Sequence, residues 1–138
     1  MAPVSGSLPP GPLPFYYVMV VWGEKYVDML LEIALPCLLA PGNLPGLPNL
    51  RESQFLIMTT SQDRARIAAS PVFRSLEDFI EPVFVDSPWI EQDIPYHFKA
   101  ARGHQEAAKW AASDRAYCVF LAPDFLFSDG ALRCLVDT

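Results

Sequence analysis

The chain has 138 residues, 51% of them apolar and 12% aromatic, with a formal net charge of −6. This is enough apolar material for one packed domain, which excludes wholesale disorder, and the acidic balance excludes a general attraction to nucleic acid or anionic lipid. Cys37, Cys118 and Cys134 are odd in number and widely spaced, with no CxxC or Cys/His ligand spacing; that argues against a disulfide framework and a structural zinc site, and fits a reducing, cytoplasmic setting.

Residues 1–14, MAPVSGSLPPGPLP, lack the basic and apolar regions of a signal peptide, and their prolines predict an extended, disordered leader before a domain at 15–138. Phe15–Val21 is aromatic and β-branched and predicts a first strand, ended by Trp22 and Gly23. Val27, Leu30, Leu31, Ala34 and Leu38 follow at helical spacing, and Pro36 is expected to kink or end that helix near Leu35. This segment contains Glu32 and Pro36 and is too short to span a bilayer. A loop, APGNLPGLPN, leads to a second strand at Gln54–Thr59. Ser61 is the expected N-cap of a short helix closed by Pro71, and Ser75 that of a further short turn. Pro82–Val85 predicts a third strand ending at Asp86, and Pro95 opens a long helix, YHFKAARGHQEAAKWAAS. Ala100, Ala101, His104, Ala107, Ala108 and Ala111 share one face of it, small enough for close approach to a sheet. Tyr117–Leu121 is the fourth strand, and Ser128 or Asp129 is expected to cap a final helix, GALRCLVD.

Apolar strands alternating with helices predict an α/β fold, Rossmann-like, around a mostly parallel sheet. Ligands of such sheets bind beyond the carboxyl ends of the strands. Trp22, Gly23, Thr60, Asp86 and Asp124 lie at those ends. The motifs GxGxxG, GxxxxGKS/T, GxSxG and HExxH are missing, which argues against a dinucleotide-binding enzyme, a P-loop enzyme and an α/β-hydrolase. A phosphate would then need a metal or a basic side chain.

Asp124 can hold a hard divalent cation, or it simply starts the turn after Pro123. Asp129 reads as a helix N-cap. His104 is either a satisfied core residue or a donor to a phosphate or ribose. His97 lies two turns from it, roughly 10 Å away, too far to share one metal. Trp22 can stack on a base or cap the core, and Asp86 can accept from a base or ribose or be an ordinary turn carboxylate.

The segments VVWGEKYVDMLLEIALPCLLAPGNLPGL, FLIMTTSQD and AYCVFLAPDFLFSDGAL resemble the N-terminal, nucleotide-binding half of a GT-A type glycosyltransferase of the nucleotide-diphospho-sugar transferase superfamily, over about residues 16–138. The resemblance implies a UDP- or GDP-linked sugar donor, with Trp22, Gly23, Thr60 and Asp86 around base and ribose and His104 near the diphosphate. It also implies a DxD motif closing the fourth strand, holding manganese or magnesium. Asp124 matches the second Asp of that motif, and Ala122 stands where the first would be. The family's acceptor-binding residues come later in the chain, so this sequence reads as the front half of a larger enzyme or a truncated relative. Donor binding, more than turnover, is the expected activity. The alternative is a non-catalytic α/β interaction module. A half-domain would also leave a sheet edge uncovered, which predicts self-association.

Overall fold

A computed structural model describes residues 13–137. Four strands form one sheet: β1 (Phe15–Val20), β2 (Gln54–Thr59), β3 (Glu81–Asp86) and β4 (Tyr117–Leu121). All pairings are parallel, in the order β3-β2-β1-β4. Most of the expected leader lies outside the described residues. Its last residue is tied to the sheet, because the Pro14 carbonyl accepts from the Tyr117 amide at 2.9 Å.

The chain lays β1, β2 and β3 in one direction and then returns to place β4 on the other side of β1. Helices α1 (Glu24–Met29), α2 (Leu35–Leu38), α3 (Ser61–Ala68) and α4 (Pro71–Glu77) connect the first three strands. Val27, Leu30, Leu35, Leu38, Ile67, Phe73 and Leu76 pack with Tyr17, Met19, Phe55 and Ile57 of the sheet. The long helix α5 (Tyr96–Ser113) crosses the opposite face, where Ala107 and Ala111 meet Tyr16, Val18, Val20, Leu56 and Met58. Right-handed crossovers require this change of face when the strand order reverses. Helix α6 (Ala131–Asp137) returns to the first face through Leu132.

The small-residue face of α5 has its closest approach at Gly103. A Cβ there would lie 2.7 Å from Val20 Cγ2. Gly103, Ala107 and Ala111 are the buried line of the helix, whereas Ala101 and Ala108 are exposed and His104 is half-buried.

Several local expectations are corrected. Pro36 does not end its helix at Leu35. A π-helical segment, Leu30–Ala34, precedes it, and the Leu35 amide reaches back to the Leu30 carbonyl. The wider turn accommodates a proline ring that would otherwise strike the preceding turn, and helical structure continues to Leu38. Thr60, not Ser61, caps α3, its hydroxyl accepting from the Asp63 amide at 3.1 Å. Pro71 opens α4, at a position where its missing N–H costs nothing. Ser75 lies inside α4 and donates to the Pro71 carbonyl, so it caps nothing.

The Asp129 side chain accepts from the Gly42 amide at 2.5 Å. Near the start of α6 the Leu132 amide donates to Asn43 Oδ1 at 2.9 Å, a cap supplied by the loop APGNLPGLPN. No described helix is long and apolar enough to cross a membrane.

Candidate functional site

Reversal of strand order beside β1 opens a crevice at the carboxyl ends of β1 and β4, the place where open parallel sheets bind ligands. The crevice is a cleft of about 260 Å³. Its lining includes Trp22 after β1, Tyr26 in the first turn of α1, Tyr96 at the start of α5, and Ala122, Pro123 and Asp124 after β4. Ala100 and Val20 complete the floor. Crossover helices begin at this edge of the sheet, so α1 and α5 deliver their first-turn aromatics there.

Trp22 also borders a second, more polar cleft of about 730 Å³ with Gly23, Glu24, Thr60, Gln62, Asp63, Arg66 and Glu91. Gly23 has φ of 88°, which suits a residue without Cβ turning the chain out of β1. Its amide donates to Asp63 Oδ2 at 2.9 Å. The carboxylate of α3 therefore occupies the N-terminus of α1, where a phosphate would otherwise be stabilised. Arg66 is paired with Asp28.

Asp86 sits elsewhere. It faces Thr59 across the β2–β3 ladder and lines a space of about 20 Å³ with Thr60, Ser61 and Arg64, room for a water and little more. The His104 ring lies 4.6 Å from that of Phe120, tilted by 50°, and lines a shallow apolar cleft of about 170 Å³ with Phe125. That cleft adjoins the first through Val20, Ala100 and Ala122. Burial holds the His104 imidazole below its ordinary range, favouring the neutral ring.

Six residues were expected at the site. Trp22 and Asp124 come together in the aromatic cleft, and Trp22, Gly23 and Thr60 in the polar one. Asp86 and His104 line separate spaces. The sequence reading missed Tyr26, Tyr96 and Asp63. The available signal was positional, since each lies in the first turn of a helix that follows a parallel strand.

The metal that the resemblance implies does not fit these residues as a resident ion. Asp124 is an exposed carboxylate, and Ala122 offers a methyl group at the companion position. Among the described residues no group of three or more His, Cys, Asp and Glu could hold a metal ion. One exposed carboxylate falls short of the ligand set with which a protein alone holds a hard divalent cation. No family model and no curated protein matches this chain.

Proposed function

We propose that the chain is a glycosyltransferase-like donor-binding domain that receives a nucleoside-diphosphate sugar at the β1/β4 crevice. The observation that carries this reading is the meeting of Trp22 and Asp124 in one cleft at the point where strand order reverses. Aromatic rings offer flat apolar faces to a base or a sugar ring, and a carboxylate accepts from hydroxyls. The sugar fits the aromatic cleft, and the nucleoside fits the polar cleft on the other side of Trp22, beside Thr60. The single carboxylate at Asp124 supports donor binding without a resident cation.

Titration of the purified chain with UDP and GDP sugars tests the reading. Trp22→Ala is expected to weaken binding by roughly tenfold or more, the loss of one stacked aromatic surface. Asp124→Asn is expected to weaken it less, because one hydrogen-bond acceptor remains. Unchanged affinity in both variants would overturn the assignment.

A second reading, an interaction module, is supported by the β4 edge. Tyr117 and Phe120 are exposed there on opposite faces, and Phe125 and Leu126 follow, also exposed. An unpaired apolar edge is a template for another strand.

A further inference from the structure

The aromatic cleft has a charge preference that a nucleotide does not use. Trp22, Tyr26 and Tyr96 line it, and Asp124 is its one charged lining residue among those described. Aromatic faces attract cations lying within roughly 6 Å of the ring centre, and a carboxylate reinforces them. With no lysine or arginine in the described lining, the cleft suits the sugar end of a donor and not its diphosphate. The Tyr26 ring already draws a cation, since the Lys25 ammonium rests 5.7 Å from its centroid, outside the cleft lining. At about 260 Å³ the cleft falls below the roughly 300 Å³ at which sites for whole drug-sized ligands begin. Its size suits one ring or headgroup. The chain's net charge of −6 favours the same sign of ligand.

We propose that this cleft binds a small organic ammonium group, held by the π faces of Trp22, Tyr26 and Tyr96 and by the carboxylate of Asp124. The inference rests on the crevice being a ligand site, as proposed above, but not on the ligand being a nucleotide. If a sugar donor is bound, the group in the cleft is an amino sugar or an amine acceptor. The resemblance puts a metal cation at Asp124; the ring set favours an organic one.

The test is a heteronuclear NMR titration of the full chain that follows the Trp22 indole N–H and the amides of Ala122 and Asp124. The probes are choline, its uncharged analogue with carbon in place of nitrogen, glucosamine, and N-acetylglucosamine. Choline or glucosamine is expected to shift these signals saturably, and the neutral partner of each to bind roughly tenfold more weakly or worse. The first pair reports a quaternary ammonium and the second an amino sugar.

Tyr96 and Asp124 are exposed, so their variants test the site without disturbing the core. Tyr96→Leu should weaken choline by roughly fivefold, and Tyr96→Phe should restore it, since either ring carries the quadrupole. Asp124→Asn should weaken it as well, and Lys25→Ala should strengthen it by removing a like charge. Equal binding of charged and neutral partners would overturn the proposal and leave a merely apolar cleft. A nucleotide sugar that binds at Trp22 while neither amine does would overturn it and leave the donor reading standing.

Discussion

Asn43 is an uncharged residue in a proline-rich loop, yet it ties three parts of the chain together. It is fully buried, its amide donates to the Cys37 and Ser128 carbonyls, and its carbonyl accepts from the Leu132 amide. Asn43→Ala would leave the buried Leu132 amide without its partner, while the Cys37 and Ser128 carbonyls still accept from the Ala40 and Ala131 amides. The expected cost is about 2 kcal/mol in denaturant unfolding, with loss of hydrogen-exchange protection at Leu132. Tyr17 is the opposite case. Its ring is fully buried and its hydroxyl has no hydrogen-bond partner, so burial raises its ionisation well above the ordinary range. Tyr17→Phe keeps the ring and removes the orphaned group, and is expected to stabilise the fold by about 1 kcal/mol. His104 supplies a pH dependence. Its folded pKa lies below the ordinary 6.5, so its contribution is complete above that value and is lost as pH falls through the folded pKa. Unfolding titrations should show stability declining below about pH 6.5, with a shallower decline in His104→Phe. None of these roles is visible in composition. Asn43 reads as a turn former, because its partners lie far along the chain and only the fold brings them near.

At the scale of elements, the sequence determines strands and long helices well because their burial is periodic. The α5 range and the β4 range are both legible from spacing alone. Thr60 and Pro71 show what spacing leaves out: neighbouring residues compete for the same cap, and a proline that stops one helix can start the next. The π turn before Pro36 likewise depends on how the whole helix packs, since hydrophobic residues on both sides of the proline are needed in the core. The α5–β1 contact permits a direct test. Gly103→Ala gains helix propensity but drives a methyl group against Val20, and the net expected cost is about 1–2 kcal/mol. In a double-mutant cycle, Val20→Ala should make the same substitution neutral or favourable. Additive effects would show that the close approach does not limit the packing.

The whole molecule is a four-stranded parallel sheet with two differently protected edges. Glu81 and Asp86 bracket β3 and Pro82 lies within it, features that discourage strand addition. Within β4 there is no charge, proline or glycine, and Tyr117 and Phe120 are exposed along it. Reversible self-association is therefore expected, and Phe120→Lys should reduce it; a monomer over the whole concentration range in sedimentation equilibrium would contradict this. The general region of the candidate crevice was legible for a topological reason. A parallel sheet gathers the carboxyl ends of its strands, so Trp22 and Asp124 could be anticipated from strand positions. Which strand ends share a cleft depends on strand order, and strand order separates Asp86 from Asp124. The most direct test of the crevice is saturation-transfer NMR with a UDP sugar and a GDP sugar, in manganese and in chelator. One donor is expected to receive saturation from the chain, to shift Trp22 and Asp124, and to bind with little difference between the two conditions. No transfer from a folded chain, or shifts that avoid Trp22 and Asp124, would contradict the donor-binding assignment.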